Sequence, residues 1–417
     1  MKTSIYNNLN NPEKLEELYQ TEPKRFEQAF RELYPYIAEK PGTKFWMVRL
    51  DFKKTETPAE REQNRKSIWL LILCSVFAIF LIKLPDIAGR KTEDYYSANA
   101  AFIVFAAMTI YIFFDRKIWS KSRFGQVAAL LIVPVIYINL FPGNFSTDIR
   151  NLTYIHFPVL LWGIFGWVYI NFYRRDYSRR ADFIRANGDI IILTGLILIA
   201  GGIMTGLTMG LFNVIHLDIE KFYLQNIVPA GLVSAPLVSL WVIRHYPNIT
   251  NRLAPIIARI FTPLVFLSLL AYLIAIPWAG TNLFSDREFL LLFNLMLLAV
   301  AAIIAFSLSE TKQQPSRFNL FMLFGLTIMA GLANLLALAA ITYRIGEFGI
   351  TPNRFSVIAI NLLLFVHLIF IGRRLGQVIF QDRETRIVEK AITAYIPVYL
   401  IWAAIVIFFF PIIFCSY

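Results

Sequence analysis

Long apolar runs, rather than any motif, constrain what this chain can fold into. Eleven of them follow one another near 67–85, 95–114, 126–142, 152–173, 187–214, 223–243, 253–278, 288–308, 318–343, 355–372 and 391–414. Each is long enough as a helix to cross roughly 30 Å of hydrocarbon at ~1.5 Å per residue, the third being the shortest. The chain is 57% hydrophobic and only 16% charged, against about 25% charged in ordinary soluble domains. The expected fold is all-α: a polytopic transmembrane bundle of about eleven helices over 67–417, led by a short cytoplasmic helical region over 1–66. Prolines at Pro134, Pro158, Pro236, Pro263 and Pro397 fall inside the runs. In a membrane helix such prolines mark kinks more often than ends.

The loops give a direction. With the N-terminus in the cytoplasm, the inner loops hold 18 basic residues and the outer loops 7. The inner ones include Arg116, Lys117, Arg174, Arg175, Arg179, Arg180, Arg185, Arg244, Arg373, Arg386 and Lys390. This is the positive-inside pattern, and it places the C-terminus on the outer side. The net charge of +12 is therefore read as topology and not as nucleic-acid binding. The polar first 66 residues lack the apolar core of a signal peptide, so the first helix is expected to serve as the insertion signal. Cys74 and Cys415 have no evident partner, and neither a disulfide nor a thiolate metal site is expected.

Within 1–66, Asn11-Pro12-Glu13 and Thr21-Glu22-Pro23 carry helix-start chemistry. Phe26, Phe30, Leu33 and Ile37 recur at helical spacing until Pro35 and Pro41 interfere. The expectation is a helical hairpin that buries little by itself and offers a surface to a cytoplasmic protein partner.

Polar side chains inside the runs are few. Asn213, Asn294, Asn334 and Asn361 fall at similar depth in the outer part of four helices, with His156 and His216 nearby. Asp218, Glu220, Arg344, Glu347 and Arg354 lie in the outer loops above them. These residues either line an outward-facing polar cavity or form ordinary interhelical hydrogen bonds. Arg344 and Glu347 are spaced to pair if their stretch is helical. Gly202, Gly206 and Gly210, four residues apart, form a flat face that another helix or a second copy could approach. His367 stands alone, as a bonded structural histidine or a proton relay. The histidines are scattered, no phosphate loop or nucleophile elbow is present, and no metal or cofactor is expected.

Two stretches carry a family likeness. They are Ala258-Arg259-Ile260-Phe261-Thr262-Pro263-Leu264, and Tyr343-Arg344-Ile345-Gly346-Glu347-Phe348-Gly349-Ile350-Thr351-Pro352-Asn353-Arg354. The second resembles a motif of the bacterial multi-pass membrane family called domain of unknown function 4153. Phe45-Trp46-Met47-Val48-Arg49-Leu50 is similar to the soluble lead-in of its Bacteroidota-type members. The resemblance implies a bacterial inner membrane and brings no activity.

Three functions stay open. A non-enzymatic membrane sensor or scaffold with an outward-facing polar site ranks first. A transporter or channel, for lipid or another apolar solute, is second; no acidic residue is read as lying deep in a helix, which counts against ion coupling. A membrane enzyme is third, since no base or nucleophile stands out.

Overall fold

The computed structural model describes residues 1–51, 58–88, 92–140, 146–173, 175–214, 219–246 and 317–414, with scattered residues between 262 and 304. Among these every regular element is helical. The chain divides into two compact units, Met1–Lys66 and Ser67–Tyr417.

The first unit holds four short helices: α1 (Lys2–Asn7), α2 (Pro12–Thr21), α3 (Pro23–Ile37) and α4 (Thr43–Asp51). The Asn11 side chain caps α2 by accepting from the Lys14 amide at 3.1 Å. Pro35 does not end α3, which runs on to Ile37. A hairpin would bury little, but four helices enclose a core of Ile5, Leu15, Phe26, Phe30, Ile37 and Trp46. Phe26 and Phe30 stack at 5.8 Å, and Trp46 packs 5.1 Å from Phe26. At about 1.5–3 kcal/mol for each large side chain buried, this core is substantial for its length. Lys2 reaches Glu32 at 2.5 Å and joins α1 to α3. That hydrogen bond, with one from Gln28, holds the Glu32 carboxyl below its usual range.

The second unit contains α5 (Pro58–Ala88, beginning in the first unit), α6 (Thr92–Asp115), α7 (Lys121–Asn139), α8 (Thr147–Tyr169) and α9 (Tyr177–Val214). A π-helical turn, Tyr223–Ile227, leads into α10 (Val228–His245). Then come α11 (Arg317–Phe348), α12 (Pro352–Gln381) and α13 (Arg386–Phe408). Among the described residues nine helices are long and apolar enough to cross a membrane, and they coincide with nine of the eleven runs. The seventh and eighth runs fall largely outside the described residues. Ile72, Leu73, Val76 and Phe80 on α5 stay exposed, as a lipid-facing surface requires.

Contacts fix which helix ends lie together. Ser67, Asp115, Tyr169, Phe183, Arg244 and Glu389 meet neighbours at one end, among the basic loops. Lys83 lies at the other end. It donates at 2.5 Å to the Gln225 carbonyl in the π-helical turn, where the usual helical bond is displaced.

Among the described residues the closest helix approaches at glycine fall on α8. A Cβ on Gly163 would clash with a Leu400 methyl, and one on Gly166 would stand 2.7 Å from the Phe183 ring. These glycines let α8 receive side chains of α13 and α9. At Gly202 and Gly206 nothing among the described residues lies within 4 Å. The side chain position of Gly210 is outside the described residues.

Candidate functional site

The polar layer at the end opposite the basic loops can be described in part. Asn334 on α11 and Asn361 on α12 are both fully buried. They face each other, with Asn334 Nδ2 donating to Asn361 Oδ1 at 3.2 Å. Asn361 Nδ2 donates to the Val357 carbonyl, while Asn334 Oδ1 has no hydrogen-bond partner among the described residues. A second amide pair, which the sequence reading passed over, joins α6 to α7: Asn99 and Asn139 exchange hydrogen bonds of 3.0 and 2.8 Å. Asn99 is buried and Asn139 exposed, and amides that bond across a helix pair in this way are packing devices.

Two other described members of the layer, His156 and Arg354, have local partners of their own. His156 Nδ1 bonds to the Leu152 carbonyl at 2.8 Å, and its ring lies against Trp402. Arg354 donates to the Phe348 and Gly349 carbonyls, and its own amide donates to the Thr351 hydroxyl at 3.3 Å. It therefore closes the turn between α11 and α12, where Gly349 adopts φ +75°. Arg344 and Glu347 make no ion pair among the described residues, and Glu220 sits at the turn before α10. The Asn213 side chain, Asn294, His216 and Asp218 lie outside the described residues. His367 Nδ1 meets the Tyr399 hydroxyl at 2.9 Å and its ring stacks on Tyr395 at 4.4 Å.

The basic-loop end carries the richer arrangement. Arg244, at the last turn of α10, meets Asp115, at the last residue of α6, with Nη2 2.5 Å from Oδ2. The other Asp115 oxygen takes the Ser67 hydroxyl at 3.3 Å, and Ser67 lies 2.8 Å from the Tyr111 hydroxyl. The next residue, Arg116, donates to the Tyr169 carbonyl and lies over the Tyr169 ring. Burial, with the Arg244 charge behind it, pulls the Arg116 guanidinium below its usual range.

Asp189 adds a buried acid near this end. The apolar run begins at 187, but α9 starts at Tyr177, so Asp189 lies about 18 Å along the helix at ~1.5 Å per residue. It is 8% exposed. It is thus a buried acid near the start of the apolar run, about one helical turn beyond Arg185, which pairs with Glu389 at the basic-loop end. On the same helix Asn187 accepts from the Trp162 indole at 2.9 Å, and Thr194 bonds to Ser239 at 3.0 Å.

Beside this network lies a cleft of about 880 Å³, formed by the loop before α9 and the start of α13. Phe172, Tyr173 and Tyr177 supply aromatic walls, and Arg175, Arg386 and Lys390 supply cations. Two of its three carboxylates are already engaged. Asp176 accepts from the amide and Nε of Arg179, and Glu389 from Arg185 at 3.0 Å. Glu384 is the third. Among the described residues no carboxylate pairs with Arg175, Arg386 or Lys390; Lys390 lies over the Tyr177 ring. Asn171 and Phe172 are consecutive left-handed residues, φ +57° and +64°. A left-handed phenylalanine is unfavourable by roughly 1–2 kcal/mol. It is held by packing at 4.9 Å against Trp167 and by Arg123 over its ring.

One turn further along α9 and α13 an apolar groove of about 300 Å³ opens between these helices and α8. It is lined by Leu160, Gly163, Ile164, Ile396, Pro397 and Leu400, among others. Arg180 stands where cleft and groove meet, donating to the Thr393 carbonyl at 3.1 Å with its guanidinium over Tyr177. The sequence displayed these cations, but only as topology signals. That α9 and α13 share an end, and that Arg185 reaches Glu389 across 204 residues, has no sequence signature. No family model, curated protein or solved structure matches this chain.

Proposed function

We propose that this chain is a non-enzymatic membrane sensor or scaffold whose ligand site is the cleft at its basic-loop end. One observation carries the reading: a cleft of about 880 Å³ with three cations facing it, beside two carboxylates already committed to other arginines. Its volume falls in the roughly 300–1,000 Å³ range of small-molecule sites. The positive-inside rule turns this end to the cytoplasm, with the N-terminus inside and the C-terminus outside. The bacterial inner membrane and the likeness to domain of unknown function 4153 belong to the same proposal. Met1–Lys66, with a core of its own, serves in it as a docking module for a cytoplasmic protein. Native mass spectrometry of the protein extracted from its membrane tests the site. Wild type and the distant Arg354→Gln variant should carry the same adduct, and Arg175→Gln/Arg386→Gln/Lys390→Gln should lose it. An adduct that survives the triple substitution, or none on wild type, overturns the reading.

Transport is the second reading, and Asp189 favours it. An ionisable residue buried in a spanning helix is the usual mark of a coupling site. Proton or ion flux in proteoliposomes that Asp189→Asn abolishes would support a carrier; no flux from wild type would remove this alternative.

A further inference from the structure

We propose that the occupant of the cleft is a phosphate-bearing amphiphile, its phosphate against Arg175, Arg386 and Lys390 and its apolar chain in the neighbouring groove. This deepens the reading of the cleft as a ligand site and rests on it. Charge complementarity selects the head. Arg179 and Arg185, outside the cleft, pair with Asp176 and Glu389, so among the described lining residues Glu384 is the one carboxylate not already ion-paired with an arginine. Guanidinium and ammonium groups together suit a phosphate, which takes forked donors from arginine and a point charge from lysine.

The groove selects the rest of the molecule. A free phosphate has no use for an apolar slot, but here one begins a helical turn away, between the same two helices and α8. Gly163 and Pro397 leave its walls low, and Leu160, Ile164 and Leu400 line it with hydrocarbon alone. Arg180 marks the step from charged to apolar lining, as a headgroup boundary would require. In a lipid-binding site the polar end is held near the membrane surface and the chain lies deeper, and this is the order of the two spaces along α9 and α13.

The full chain in phosphatidylcholine nanodiscs allows a direct test. Dioleoyl phosphatidic acid should raise the melting temperature in a saturable way. Each cation removed should weaken its apparent affinity by about tenfold, the loss given by one charged hydrogen bond. Leu400→Trp, which fills the groove, should weaken the lipid and leave the far weaker response to inorganic phosphate unchanged. Labelling of Ser178→Cys by a soluble maleimide should slow when the lipid is present, a readout that keeps all three cations in place. An equal melting response in Arg175→Gln/Arg386→Gln/Lys390→Gln and wild type, with no protection of Ser178→Cys, overturns the proposal. If inorganic phosphate protects as well as the lipid, the cleft stands as an anion site and the amphiphile is overturned.

Discussion

Arg244 and Asp115, 129 residues apart, meet with Nε 2.6 Å from Oδ2 and tie the last turn of α10 to the last residue of α6. Asp115 is 8% exposed and Arg244 23%. Asp115 also receives Ser67, so one carboxylate joins α5, α6 and α10. Removing it leaves Arg244 without its counter-charge beside Arg116. We expect Asp115→Asn to destabilise the protein by about 3 kcal/mol, the lower end for breaking a buried pair. The double variant Asp115→Asn/Arg244→Gln should lose less than the two single losses combined. Thermal melting in nanodiscs measures all three variants; simple additivity would show that the pair is not coupled.

The amide pair on α11 and α12 leads to a labelling prediction. Asn334 and Asn361 are fully buried and bond to each other. Asn334→Cys and Asn361→Cys, in a background lacking Cys74 and Cys415, should resist a membrane-impermeant thiol reagent, while Glu347→Cys reacts. Fast labelling of either would show an open cavity at this end. Because the two amides bond to each other, Asn334→Leu/Asn361→Leu should melt within about 1 kcal/mol of wild type, whereas Asn334→Leu alone strands its partner amide.

Depth along a helix is legible in sequence, and direction around it much less so. Hydropathy located nine runs that coincide with nine described helices, because bilayer crossing depends on length and apolarity alone. It placed the start of α9 ten residues late. Arg179, Arg180 and Arg185 look like loop residues to a hydropathy window, yet they stay helical, and Arg185 bonds to Asp182 and Glu389. For the amides, the common depth of Asn334 and Asn361 was visible, but their facing each other depends on helix rotation. The cleft was invisible for a further reason: its two walls come from segments about 200 residues apart.

The glycines allow a paired comparison. A Cβ on Gly166 would press on Phe183, which is 3% exposed and enclosed by Trp162, Phe165 and Tyr169. That ring has little room to move, and overpacking a tight core costs about 1–3 kcal/mol. Gly166→Leu should therefore lower the melting temperature or the yield of folded protein. Gly206→Leu, with no described neighbour within 4 Å, should do much less. Equal damage from both would mean that the Gly202–Gly206 face is packed after all.

The first unit should fold apart from the rest. Residues 1–66 made alone should show a helical spectrum and a cooperative melt, because their core is internal. Phe30, fully buried between Phe26, Tyr34 and Trp46, is the key side chain. Phe30→Ala removes about 3–5 kcal/mol, enough to unfold a unit of this size. A non-cooperative melt of the wild-type fragment would show that the core needs support from outside the fragment.

Orientation is the last prediction, and it bears on where any ligand would be met. The cleft, the Asp115–Arg244 pair and the loops after α6 and α8 all lie at the end where basic residues concentrate. If the positive-inside rule sets the topology, that end faces the cytoplasm. A reporter active only in the cytoplasm should then work when inserted beside Ser178, and one active only outside should work when fused after Tyr417. Ser178→Cys should be reached by an impermeant thiol reagent in inverted vesicles and not in intact cells. Glu347→Cys, at the turn joining α11 to α12, should show the opposite pattern. Labelling of both from the same side would require a helix count different from the one proposed. A clean reversal of the two would keep the count but turn the cleft outward, and its ligand would then be met on the outer face.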